Sequence, residues 1–173
     1  MMRDVLSSLH AVMTGCPVPT SHEGGAALLC TPGIGRLAGI NVVLGTDRIS
    51  GGIHDNYFPL VVLDDDGEKD TDGAIRYGVR VTAAVVVPPY LGALYGHGGE
   101  EGRVLGLLDI SEAVKKTILE NRHLPDGRGG YITTGIAGPI SIERDADSDA
   151  EGIKMQLAIV SFAYGGRRSG MKQ

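Results

Sequence analysis

Near the amino terminus Val5, Leu6, Leu9, Val12 and Met13 fall at steps of one, three and four. That spacing predicts one apolar stripe on a short helix, ended by Gly15 and Pro17. A second stripe, Leu107, Ile110, Val114 and Ile118, predicts a helix over about residues 103–121, with Glu112, Lys115, Lys116 and Glu120 largely off it. Between the two the period changes to two. Residues 57–63 read as a strand, with Pro59 near its start or on a sheet edge. Ile75, Tyr77, Val79, Val81, Ala83, Val85 and Val87 share one face of a longer strand, and Arg76, Arg80 and Thr82 share the other. The acidic stretch 64–73 is expected to turn the chain between these strands. Beyond the second helix Asp126-Gly127 and Gly129-Gly130 break the chain, and Ile132, Thr134, Ile136, Ile140 and Ile142 alternate as a third strand. A polar hairpin loop over 144–152 then leads to a last strand. There Ile153, Met155, Leu157 and Ile159 face one way, Lys154 and Gln156 the other.

The expected order is helix-strand-strand-helix-strand-strand, an α+β fold. Two hairpins joined by a helical crossover form one mostly antiparallel sheet, with both helices packed on the face that carries the valines and isoleucines. Residues 16–52 interrupt this order as a Gly-rich, loop-rich insertion around two short apolar runs, 26–30 and 40–44, which read as brief strands. The Gly- and Arg-rich tail, 165–173, is expected to be flexible. The 173 residues fit a single domain, 1–173, able to bury a real core.

Composition narrows the function classes. Hydrophobic residues make up 42%, which excludes intrinsic disorder, and the net charge of -5 comes without a Lys/Arg cluster before Arg167, Arg168 and Lys172. A chain that grips duplex DNA needs such a cluster to neutralise phosphates, so specific nucleic-acid binding is disfavoured. No apolar run approaches the roughly 20 residues of a membrane span, and the amino terminus does not read as a signal peptide. Cys16 and Cys30 lack metal or redox spacing; a reduced, cytosolic chain is the simplest reading, and one bridge between them stays open.

Motifs for chemistry are weak. Gly33-Ile34-Gly35-Arg36-Leu37-Ala38 matches G-x-G-x-x-G/A, but a short β-branched run follows where a dinucleotide site needs a helix. The run Asp64, Asp65, Asp66, Glu68, Asp70 and Asp72 lacks the ligand order of a calcium loop, and Glu143, Asp145, Asp147, Asp149 and Glu151 alternate but lack its central Gly. His10, His22, His54, His97 and His123 are scattered, and the pair His54-Asp55 has no nucleophile motif beside it. Gly96 to Gly102 could cradle an anion, but Glu100 and Glu101 already occupy that helix end. The expectation is no catalytic residue, no metal and no cofactor. One segment stands out: Pro88, Pro89, Tyr90, Leu91, Leu94 and Tyr95 put large apolar groups in a loop, suited to the centre of an interface with another chain.

Laid end to end, the elements resemble those of the tail terminator (tail-completion, minor tail) proteins of long-tailed bacteriophages. The resemblance rests on the helix with Val5-Leu6-Ser7-Ser8-Leu9, the strand opening Tyr57-Phe58-Pro59-Leu60-Val61-Val62, and the long strand with Tyr77-Gly78-Val79-Arg80-Val81-Thr82. The helix Leu107-Leu108-Asp109-Ile110-Ser111-Glu112-Ala113-Val114 and the closing strand Met155 to Tyr164 complete it. It covers most of residues 1–14 and 57–164 and is architectural; the insertion at 16–52 departs from the compact family pattern.

The resemblance implies a virion protein of the tail-neck region, made in the host cytoplasm. It would form a homo-oligomeric ring, typically of six copies, that caps the tail tube protein and meets head-neck connector proteins, while DNA passes through without specific binding. Tyr90, Leu91, Leu94 and Tyr95 are then the expected oligomer or partner contacts. Asp64, Asp65, Asp66, Asp70 and Asp72 are the expected channel-facing acidic loop. Rival readings are another neck or connector subunit, or a small ligand-binding domain or enzyme using Gly33 to Ala38.

Overall fold

The computed structural model describes residues 1–15, 40–45, 59–86, 106–150 and 153–167, with the backbone alone at 86, 145–150, 153 and 167. The elements run α1 (Met2–Thr14), β1 (Asn41–Leu44), β2 (Leu60–Thr71), β3 (Ala74–Val86), α2 (Leu107–Glu120), β4 (Gly135–Ile136), β5 (Ser141–Ala150) and β6 (Ile153–Arg167). They form an α+β protein whose single described sheet is mixed but mostly antiparallel. β1, β2, β3 and β6 lie side by side, and β4 and β5 share the far edge of β6. The parallel pair is β1 with β2, from Asn41↔Leu60 to Leu44↔Leu63. This four-residue strand, expected only as a brief run within the insertion, is what makes the sheet mixed. No described helix is long and apolar enough to cross a membrane.

Both helices cover one face of the sheet. Val5, Leu9 and Met13 of α1 and Leu107, Ile110, Val114 and Ile118 of α2 are buried in one core with Val61, Leu63, Val79, Val81, Ala83 and Val160. Apart from Ala83, each such side chain contributes about 1.5–3 kcal/mol when fully buried. The stripes and the odd positions of β3 therefore pack as their periods demand. α2 is capped by its own third residue, since the Asp109 carboxylate accepts a hydrogen bond from Gly106 N at 3.3 Å. β5 is tied to α2 by Arg144, which donates to Ser111 Oγ at 3.0 Å and pairs with Glu112 at 2.7 Å.

Five expectations change. The acidic stretch is not a loop: β2 continues to Thr71 and pairs with β3 as far as Thr71↔Ala74, leaving Asp72 and Gly73 as the turn. One register shift lies between Asp65 and Glu68, where Gly67 has φ 96 and donates its N–H to Asp65 Oδ1 at 2.6 Å. A glycine in that conformation lets the strand absorb an extra residue as a bulge. The strand expected across Ile132 to Ile142 is interrupted, because Gly138 (φ 110) and Pro139 cannot continue a ladder, and it splits into β4 and β5. The polar loop at 144–152 shrinks in turn, since β5 runs to Ala150.

The last strand has the opposite phase to the one expected. Ala158, Val160, Phe162 and Tyr164 enter the core under the helices, so Met155, Leu157 and Ile159 lie on the other face. Both faces of β6 are apolar, which removes the alternation that would have told them apart. β6 also extends through Arg167, opposite Ala74, so the first three residues of the expected tail are sheet. Of the insertion, residues 16–39 and 46–52 lie outside the described residues, as do 168–173.

Two buried polar groups make the core testable. His10 on α1 is buried, with Nε2 3.2 Å from the carbonyl of Val42. A carbonyl only accepts, so the ring donates Nε2–H and holds β1 under the helix. Burial pushes His10 below its ordinary 6.5, against the smaller upward pull of the Val42 carbonyl. The unfolded chain takes up a proton near 6.5 that the folded chain resists. Stability from this group is therefore complete above that pH and declines as pH falls through it toward the lower folded value. Thermal unfolding between pH 7 and pH 5 should show this decline, and His10→Gln should remove it; equal slopes for the two proteins would refute the assignment.

The Tyr164 hydroxyl is buried with no hydrogen-bond partner among the described residues, and burial raises its pKa. Removing an unpaired buried hydroxyl relieves a desolvation cost. Tyr164→Phe should leave stability unchanged or raise it by up to about 1 kcal/mol. A clear fall in melting temperature would mean that the hydroxyl is paired.

Candidate functional site

Of the residues singled out in the sequence, the contact loop Tyr90, Leu91, Leu94 and Tyr95 lies outside the described residues. So do Gly33 to Ala38, His54-Asp55, Cys16, Cys30 and Gly96 to Gly102. Among the described residues no three His, Cys, Asp or Glu side chains converge as a metal site would require. What the structure displays is surface: an acidic ribbon along one side of the sheet and a braced loop along the other.

The ribbon is the outer half of β2. Beyond Leu63 the strand leaves the core, and residues 65 to 72 are exposed. Within it Glu68 lies opposite Tyr77 and Asp70 opposite Ile75, so both carboxylates stand on the helix side of the sheet. Asp64 lies opposite Arg80, on the other side. β1 pairs only with Leu60 to Leu63, and no described strand covers the outer edge of β2 past that point. Glu68 Oε1 accepts a hydrogen bond from Met2 N at 3.0 Å, which fixes the start of α1 against the ribbon. Tyr77 sits beneath, its hydroxyl pKa raised by burial first, then by the charges of Glu68 and Asp4.

The loop joins α2 to β4 and was legible in the sequence only as a chain break. Asp126 Oδ1 accepts the backbone N–H groups of Arg128 (2.7 Å) and Gly130 (2.9 Å), an Asx-type turn that these bonds stabilise in the ionised form. They hold the carboxyl below its ordinary value. Pro125 and Tyr131 bridge across the base. Below them Leu124 is fully buried, and the buried Thr133 hydroxyl accepts from Leu124 N at 2.8 Å while donating to Arg122 O at 2.9 Å. Ser8 of α1 donates to Pro125 O at 2.7 Å.

On this base the loop presents Tyr131, 70% exposed, its ring 5.7 Å from that of His123. Arg122 and Arg128 of the same loop are exposed as well, and Arg122 Nε donates to Leu119 O at 3.1 Å. An exposed tyrosine on a braced loop that also bears two exposed arginines has the residue chemistry of an interface anchor. The signal in sequence was Asp-Gly-x-Gly-Gly followed directly by Tyr, a turn that delivers an aromatic to the surface.

Loop and ribbon stand at opposite sides of the same level of the sheet. Glu68 pairs with Tyr77, Tyr77 with Tyr164, and Tyr164 with Ile136, one continuous row across four strands. At about 4.8 Å per strand the row is roughly 14 Å wide. Tyr131 precedes its last strand, and Thr134 N is bonded to Gly165 O at 2.8 Å.

The fold and these surfaces define a two-layer α+β protein with an acidic ribbon at one lateral side and, at the other, a braced loop that bears Tyr131, Arg122 and Arg128. The chain matches no protein-family model, and no curated protein is significantly similar to it in sequence.

The brace beneath the loop can be tested alone. Thr133→Val keeps the shape of the side chain but leaves Leu124 N and Arg122 O without their buried partner, at a cost of about 1–3 kcal/mol. The expected result is a lower melting temperature and faster amide exchange at Leu124 and Ile132, with helix content kept. Unchanged exchange at Leu124 would show that the hydroxyl does not hold the loop.

Proposed function

We propose that this protein is a structural virion subunit, a tail terminator that closes into a ring on the end of a phage tail tube and joins it to the head-neck complex. It works by shape and by contact between copies. The observation that carries the reading is the ribbon: a strand, not a slack loop, holds a line of carboxylates clear of the core. A passage for DNA must not bind phosphate tightly, and fixed negative charge provides that. Asp64 and the turn residue Asp72, with Asp65, Asp66 and Asp70, are the proposed source of this field, so the ring needs no specific contact with nucleic acid. The sequence order from α1 to β6 and the apolar loop with Tyr90 and Leu94 add support, the latter as a contact between copies or with the tube.

The test is assembly. Purified protein mixed with tail tubes lacking their cap should appear by electron microscopy as one ring at the tube end, and tube length should stop increasing. Tyr90→Asp combined with Leu94→Asp should abolish capping while the melting temperature is kept. Capping that survives this double substitution would remove the loop from the contact. A tightly retained nucleotide, or turnover of a small substrate lost on replacing one His or Asp, would replace the structural reading with a ligand-binding or enzymatic one.

A further inference from the structure

Resting on the reading of a self-associating subunit, we infer that the loop carrying Arg122, His123, Arg128 and Tyr131 is one half of the contact between neighbouring copies. The other half is the helix-side edge of the next copy's β2 ribbon, around Glu68 and Asp70. The two surfaces are complementary in charge. The loop carries exposed Arg122 and Arg128 against a single ionised carboxylate, Asp126, which is turned to its own backbone amides, so its net charge is positive. The ribbon carries Asp65, Glu68 and Asp70 on the helix side, each opposite a β3 residue of the core face. In a chain of net charge -5, a positive, braced and aromatic surface has its best match in the chain's own acidic edge.

Placement makes the match repeatable. The row Glu68–Tyr77–Tyr164–Ile136 puts the ribbon at one lateral side of the sheet and the loop at the other, both on the side covered by the helices. Copies set side by side in the same sense therefore bring each loop to the next ribbon. Such a contact is heterologous, and repeated with a closing rotation it makes a ring. The loop is already held by Ser8, Thr133 and Asp126, so docking Tyr131 costs little further ordering. Glu68 also holds Met2 N and thereby keeps the ribbon against α1. This contact takes Asp65 and Asp70 out of the channel-facing set proposed above and leaves Asp64, on the other side of the ribbon, with Asp66 and the turn residue Asp72 to the channel.

Charge reversal with rescue tests the inference, using the full chain and sedimentation velocity over a concentration series, with and without capless tail tubes. Arg122→Glu with Arg128→Glu should weaken self-association at least about tenfold, and Glu68→Lys with Asp70→Lys should do the same. The four substitutions together should restore it to within a few-fold of the unmodified chain. Tyr131→Ala, which changes no charge, should weaken association while the melting temperature is kept. Association of the unmodified chain should also fall as NaCl rises from about 0.1 M to about 1 M, where screening shortens from about 10 Å to about 3 Å. Reversed pairs that associate normally, or a quadruple variant that is not rescued, would overturn this contact and leave the ring reading standing. An unmodified chain that stays a single copy even on tail tubes would overturn both.

Discussion

The ladder between β3 and β6 is the constraint on which the rest of the molecule depends. It runs without a break from Ala74↔Arg167 to Val86↔Met155, so each residue of the central strand has a partner on β6. Because β6 occupies that place, the chain leaving β3 through α2 must lay β5 one strand further out and return to fill the gap. The core follows, since alternate residues of the ladder, Val79, Val81 and Ala83 with Ala158, Val160 and Phe162, face one side only, and both helices bury their stripes there. The surface follows too. Hairpin partners become the flanks of the sheet, β2 on one side and β5 on the other, and flanks can afford polar side chains.

That division explains what the sequence could and could not reveal. Where one side of an element is buried and the other wet, the period shows, as in Val5, Leu9 and Met13 or in Val79, Val81 and Ala83. Beyond Leu63 the strand β2 has solvent on both sides, so hydropathy carries no period, and Asp64 to Thr71 look like loop although backbone pairing keeps them extended. β6 fails for the opposite reason: Met155, Leu157 and Ile159 match Ala158, Val160 and Phe162 in apolar character, and the phase of the strand cannot be read. The loop at Tyr131 showed only as a chain break, because its rigidity comes from Ser8 and Thr133, one of them more than a hundred residues away. The mixed character of the sheet rests on β1, four residues long, held to β2 and pinned by His10.

The flanks restrict how copies can meet. β2 carries Asp64, Asp65, Asp66, Glu68 and Asp70, and the sequence of β5 holds Glu143, Asp145, Asp147 and Asp149. Continuing the sheet by pairing one flank with a second copy would set like charges across a ladder, which is destabilising. Charged edges are the usual protection against such pairing. For identical chains this disfavours pairing β2 with β5 and favours contacts in which a positive group on one copy meets an acidic edge on the next.

On the proposed reading, the strength of that contact bears on when assembly happens. Exposed ion pairs contribute about 0.2–1 kcal/mol each, and one tyrosine on a loop adds a modest buried area. A single junction of this size holds two free copies weakly. In a closed ring every copy makes two junctions, and on a tube end each copy is also held from below, so the last junctions form between partners already at high effective concentration. Weak lateral contacts would then keep the chain dispersed until the tube gathers it. A cap behaves usefully in that way, because rings that closed early in solution would compete with the tube for subunits. The same weakness requires the loop to be built rigid, since a contact with so little energy could not also supply the ordering of a mobile segment. The hydrogen bonds to Pro125, Thr133 and Asp126 supply that rigidity, and they account for how a five-residue turn could carry a subunit interface.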